Sequence, residues 1–168
     1  MNYRVGLGED DHAAGRPHDR EGNSVHVQNI LKVKGTAVAT VAPDDSLADA
    51  TASLRDHGVG ALVVSRDGRT IDGIVSERDV VRALAAHGSS TLGRNVESAM
   101  STAVTTCHGS DTVDSLMAMM TERRIRHLPV VDDDGKLAGI ISIGDVVKAR
   151  VGQLEIENGQ LHDYIQAR

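Results

Sequence analysis

Aromatic residues are almost missing from this 168-residue chain: Phe and Trp are absent, and the two tyrosines, Tyr3 and Tyr164, stand near its ends. The interior must be filled by Val, Ile, Leu, Ala and Met, and there is no set of rings on which nucleic-acid bases could stack. Cysteine occurs once, at Cys107, which excludes an intrachain disulfide or a thiolate cluster and points to a reducing compartment. No apolar run approaches the roughly 18 residues of a membrane span. The N-terminus is polar and lacks a signal-peptide apolar region, so a cytoplasmic location without membrane contact is expected. Positive charge is in deficit too: the net charge of -6 opposes polyanion binding unless a local basic patch overrides it.

The chain is long enough for one compact domain or for two half-size units sharing a core. Residues 1–24 are rich in Gly, Asp, Glu, His and Arg without apolar period, which predicts a disordered tail. Amphipathic sequence begins at Val25, where VHVQNIL predicts a short helix or strand ending at Gly35. Beyond it lies a duplication. Residues 59–83 realign on 125–149 without a gap, pairing Leu62 with Leu128, Gly73 with Gly139, Ser76 with Ser142 and Asp79 with Asp145. Carried upstream, the same offset pairs Thr40 with Thr106 and Lys34-Gly35 with Met100-Ser101.

Within each copy the hydrophobic period alternates. The apolar stretch Val38–Val41 is followed by Asp44-Asp45-Ser46, which supplies helix-capping chemistry before Leu47, Ala50 and Leu54 at helical spacing. Ala61–Val64 and Gly73–Val75 read as strands of a hairpin turning at Asp67-Gly68. Helical spacing returns over residues 76–86. Each copy therefore predicts strand, helix, strand, strand, helix, an α+β unit whose core is marginal alone, so the two copies should pack sheet to sheet.

This order of elements, with Gly-Ile-Val-Ser-Glu-Arg-Asp at 73–79 and Gly-Ile-Ile-Ser-Ile-Gly-Asp at 139–145, resembles the CBS domain pair, or Bateman module. The resemblance covers residues 25–150, with repeats over 25–88 and 89–150 and a C-terminal helix over 151–168. The second copy matches more closely, through Arg126-His127-Leu128-Pro129-Val130-Val131-Asp132; the first has Gly60-Ala61 where Arg126-His127 stand. The resemblance implies a non-catalytic regulatory module with an adenosine-ligand cleft between repeats, for AMP, ATP or NAD(H). In it Asp79 and Asp145 would bind ribose hydroxyls, while Ser76 and Ser142 approach phosphate.

Ser-x-x-Asp supports two readings. It can be a capping box that closes a helix start, or a site where free N–H groups and the helix dipole favour an anion. The motif occurs twice, each time after a Gly that permits close approach, which favours a binding role compatible with capping. Among basic residues Arg126 and Arg78 are the leading phosphate partners, ahead of Arg82, Arg123 and Arg124, with Lys34 a weaker candidate. His127 is either a phosphate donor or a half-buried structural histidine. Thr40 and Thr106 stand where the family contacts adenine, though β propensity also explains them. Gly60, Ala61 and Ile125 complete the candidate cleft. Ile125, with Val38, Val104 and Ile143, reads equally as adenine wall or as core.

Cys107 and His108 are neighbours on a strand and point to opposite faces, which excludes a local dyad and predicts a buried structural thiol. Val147, Val151, Leu154, Asn158, Leu161 and Ile165 form a heptad seam, read either as a helix packed on its own chain or as a homodimer contact. Three functions stand against one another: a nucleotide sensor acting on an unidentified protein target, a small nucleotide-processing enzyme, and a nucleic-acid-binding regulator. The enzyme lacks a nucleophile beside a base, a metal cluster and a Walker-type loop. The regulator has the acidic charge and the missing aromatics against it.

Overall fold

The structure is a computed structural model and describes residues 24–166. The tail predicted over 1–24 falls, but for Ser24, outside the described residues, as do the last two positions of the C-terminal helix.

Helix α1 (Val27–Lys34) leads into β1 (Thr40–Val41), α2 (Leu47–His57), β2 (Ala61–Val64), β3 (Gly73–Ser76) and α3 (Glu77–His87). After two 3₁₀ turns, at Ser89–Gly93 and Val96–Ser98, the order repeats as β4 (Cys107–His108), α4 (Val113–Arg123), β5 (His127–Val131), β6 (Leu137–Ser142) and α5 (Ile143–Gln166). Each copy is thus the strand, helix, strand, strand, helix unit that the periodicity predicts. In each sheet the first strand runs parallel to the middle one and the third antiparallel to it, in the order β1-β2-β3 and β4-β5-β6.

The local causes are legible. Ser46 closes the start of α2 in a capping box with Asp49, and Gly58 ends the helix with a left-handed φ of 62°. In copy two Thr112 caps α4 by accepting from the Ser115 amide, but the helix ends at Arg124, a non-glycine with φ 56°. Between β4 and β5 the copies also part. Val63 donates its amide to the Ala39 carbonyl at 3.3 Å; its counterpart Pro129 has no N–H to give Thr105, and β4 begins only at Cys107.

The two cores are aliphatic, and each borrows from upstream of the other copy. Val27 and Leu31 of α1 are buried with Cys107, Leu116, Leu128, Ile141 and Val146 of copy two. Val96, ahead of copy two, is buried with Leu47, Leu54, Leu62 and Val75 of copy one. Backbone bonds fix both crossings: the Val27 amide donates to the Asp111 carbonyl and Val113 to Val25, each at 2.9 Å, while Val96 donates to Asp45 at 2.8 Å and Leu47 to Arg94 at 2.9 Å. Strand alternation puts Leu62 and Val64 on the helix side of their sheet. Ala61 and Val63, equally buried, therefore turn toward the other copy, and the sheets meet there, as the Arg69 carbonyl accepting from the Leu137 amide at 2.8 Å also shows.

The glycines of the repeated motif belong to these crossings. A Cβ on Gly73 would lie 2.8 Å from Met100 Sδ and 3.0 Å from the Ser101 carbonyl oxygen, and one on Gly139 would lie 2.9 Å from Leu31 Cδ2. The close approach that the sequence ascribes to a ligand is made instead by the other copy's upstream segment. Leu31→Ala, although it precedes the first strand, should cost the fold about 2–5 kcal/mol by cavity formation. Urea unfolding measures this, and a loss below about 0.5 kcal/mol would show that α1 is not part of the core.

Candidate functional site

Between the copies a cleft of about 590 Å³ opens. Its floor comes from copy one: Gly60-Ala61 at the start of β2, Ser76 at the end of β3, and Glu77, Arg78, Asp79 and Arg82 on the first turns of α3. Copy two supplies the opposite wall, from Ala103-Val104-Thr105 and from Arg123-Arg124-Ile125-Arg126-His127 between α4 and β5. Five arginines against Glu77 and Asp79 make this a local cationic patch on an acidic chain. Among the described residues Arg123 is the one of the five whose guanidinium has a hydrogen-bond partner, donating to Thr105 Oγ1 at 3.1 Å.

Asp79 projects from the first turn of α3. Its Oδ2 accepts from the Ser76 amide at 2.9 Å and from Ser76 Oγ at 2.6 Å, so the capping reading holds. Its Oδ1 has no partner among the described residues, so capping leaves half of the carboxylate for a donor from outside. Carboxylates at one end and guanidinium groups at the other suit a molecule with hydroxyls at one end and an anionic group at the other.

The equivalent corner of copy two is different. Ser142 donates its amide and Oγ to Asp145 Oδ2 at 2.8 and 2.7 Å, as Ser76 does to Asp79. Lys34 Nζ also donates to that oxygen, at 2.5 Å, and to the Ile140 carbonyl at 3.2 Å. The Asp145 carboxyl lies below its ordinary range because the Lys34 ammonium and the Ser142 donors outweigh burial, the largest single influence, which acts the other way.

The CBS domain profile matches residues 32–86 and 96–152, the two copies just described. The chain belongs to the CBS domain family. The mitochondrial CBS domain-containing protein CBSX3 of Arabidopsis thaliana is 36% identical over 151 residues, which span 85% of this chain and 73% of that protein. Among solved structures, the CBS-domain protein ATU1752 of Agrobacterium tumefaciens superposes with a TM-score of 0.73 at 46% identity, covering 77% of this chain and 96% of that one. CBSX2, solved in complex with AMP, superposes with a TM-score of 0.64 at 30% identity, covering 76% and 96%. No described helix is long and apolar enough to cross a membrane.

In this CBS pair the candidate residues sort into three groups. Ser76, Arg78, Asp79, Gly60, Ala61, Ile125, Arg126 and His127 meet in the large cleft. The strand starts Gly60-Ala61 and Arg126-His127, expected to make two clefts unequal, line the same one. Lys34, Ser142 and Asp145 gather at the other corner. Thr40, which pairs with Val63 of β2, and Thr106, just ahead of β4, are not in the lining of the large cleft, where Thr105 stands instead. Arg124 ranked low on sequence, yet the duplication pairs it with Gly58, and an arginine at a left-handed helix end costs roughly 1–2 kcal/mol. That mismatch was the available signal. Cys107 is 1% exposed, with its thiol pushed up to about 12 by burial.

His127 lies between the two corners. Its imidazole is held below the ordinary 6.5 first by burial, then by the positive charge of Lys34, with Arg126 adding to this and Glu77 and Asp145 opposing. The fold favours the neutral ring, so this contribution to stability is present above the unfolded-state value and is lost as pH falls below it. A histidine NMR titration should place the His127 midpoint below about 6.5, and a midpoint at or above that value would contradict the burial described.

Proposed function

We propose that the chain is a non-catalytic regulatory module that senses an adenosine nucleotide in the Asp79 cleft, AMP first, with ATP or NAD(H) as alternatives. The observation that carries this reading is the opposition, across one cleft, of a half-used carboxylate on α3 and unpartnered arginines of copy two. Ribose hydroxyls would donate to Asp79, while Arg78, Arg124 and Arg126, with His127, would hold phosphate. Val104 and Ile125 give the base an apolar wall. A cleft of about 590 Å³ falls in the range of small-molecule sites, ~300–1,000 Å³, which favours a free nucleotide over a nucleic acid. CBSX2 with AMP bound supports the choice of ligand. The single buried thiol agrees with a reducing compartment, and we place the module in the cytoplasm.

Calorimetry of the full chain with AMP, ATP and NADH tests the reading. One of them should bind, and Asp79→Ala should weaken it about ten- to hundredfold, the loss expected for a hydrogen bond to a charged group. Arg124→Gly separates binding from folding: it should weaken the same ligand, yet leave stability unchanged or raise it by up to about 1 kcal/mol as the left-handed strain is released against a more flexible unfolded chain. Absence of heat for every nucleotide with folded protein refutes the proposal.

We further propose that signalling passes through a homodimer built on α5, or through a protein target that meets the same face. Val147, Val151, Leu154, Leu161 and Ile165 are exposed large hydrophobic side chains, from 48% at Leu154 to 70% at Ile165. The helix runs unbroken through Gly152 and Gly159, each of which weakens a helix by roughly 1 kcal/mol relative to Ala; a partner along the seam would offset that. Sedimentation should give a dimer for the native chain and a folded monomer for the double variant Leu154→Glu with Leu161→Glu. A native monomer at all concentrations would remove the dimer.

A further inference from the structure

The duplication sets Lys34 of one copy against Met100 of the other, and the two positions solve the same packing problem by different means. After the short turn at Val96–Ser98 the chain is extended, and Ser101 pairs with Ile74 on the edge of β3: the Ile74 amide donates to Ser101 at 3.0 Å and the Ser101 amide returns to Ile74 at 2.9 Å. In the other half α1 stays helical through Lys34, and the Gly35 amide is spent on closing it, donating to the Leu31 carbonyl at 2.8 Å. The Ile140 carbonyl, counterpart of Ile74, is left to the Lys34 ammonium, which also reaches Asp145.

The two acids of the repeated motif are therefore not in the same chemical state. Asp79 is bonded only by its own capping serine. Asp145 carries in addition a cation of the chain's own, Lys34, whose side chain is 36% exposed against 22% for the acid. A ribose hydroxyl approaching Asp79 displaces water. One approaching Asp145 meets a carboxylate whose Oδ1 is also without a partner among the described residues, but whose charge is already compensated by an ammonium that bridges Oδ2 and the Ile140 carbonyl at the same corner. The backbone that carries Lys34 is held in place, since Leu31, one turn earlier on α1, is fixed in the core of copy two over Gly139.

We infer that Lys34 is a built-in latch that closes the Asp145 corner, so that each chain takes one adenosine nucleotide, at Asp79, and a second only when the latch is removed. The inference rests on the nucleotide reading above. Methionine is the natural replacement, because it is the residue copy two uses at the matching position.

Equilibrium dialysis of the full chain against labelled AMP, ATP and NADH counts the sites. At nucleotide concentrations near the native Kd the native chain should fill one site and Lys34→Met two; Asp79→Ala, weakened about ten- to hundredfold, should show almost no uptake there, and the double variant with Lys34→Met should regain one site. Lys34→Gln, which keeps a donor and removes the charge, should also reach two and serves if the methionine variant is unfolded by circular dichroism. Two sites in the native chain, one site in both folded Lys34 variants, or a single native site lost with Asp145→Ala but kept in Asp79→Ala would overturn the latch while leaving nucleotide binding intact. No uptake of any of the three by native or variant chains would refute the nucleotide reading, and the latch with it.

Discussion

Everything in this module depends on two crossings of the chain. Each copy of the repeat has three strands and two flanking helices, too little to close an aliphatic core without aromatic side chains. Each is completed by a segment that comes before the other copy in sequence: Val27 and Leu31 for copy two, Val96 for copy one. The crossings are sealed by backbone bonds at the starts of α2 and α4 and by the absence of a Cβ at Gly73 and Gly139. Because neither core is complete alone, the two sheets are held face to face, and the cleft between them has walls from both copies. A cleft of this kind is a property of the pair.

The duplication gives the cleft its parts, and departures from it give them their roles. Where the copies agree, as at Ser76-Asp79 and Ser142-Asp145, the residues cap helices in the same way. Where they differ, one residue changes what a corner can do. Val63 against Pro129 removes a ladder bond and leaves Thr105 facing the cleft. Gly58 against Arg124 trades an unstrained helix end for a guanidinium group at the cleft wall. Met100 against Lys34 gives one acid of the motif an internal counter-charge and leaves the other without one. An arginine kept in a conformation that glycine would adopt freely is a local cost, and such costs gather where a protein binds something.

Most of the fold could be read from residue order because each signal was local. Ser46 with Asp49, the hairpin between Ala61–Val64 and Gly73–Ser76, and the strand start at Arg126-His127 all specify their own neighbourhood. The crossings could not be read this way. Nothing in VHVQNIL says that its apolar face is buried 80 residues away in sequence rather than on β1, since periodicity reports which face is buried and not against what. For the same reason the motif glycines were legible as sites of close approach, while the partner, Met100 or Leu31 in place of a ligand, was not. The Asp79 cleft was legible through the repeat; its arginine wall was underestimated because Arg123 and Arg124 look like a solvated helix end until β5 turns that end toward α3.

The capping serine and aspartate matter for how occupancy could be transmitted. In copy one they hold the first turn of α3, a helix that ends at Gly88. In copy two the same pair holds the first turn of α5, which continues without interruption to Gln166 and carries the apolar seam along its exposed length. At ~1.5 Å per residue, a helix that begins at Ile143 and ends at Gln166 is a single rod with Asp145 in its first turn and Ile165 in its last. Asp145, with the Lys34 ammonium bonded to it, stands at the root of the element that faces outward. His127, lying between the two corners, feels Lys34 and Asp145 on one side and Glu77, beside Asp79, on the other.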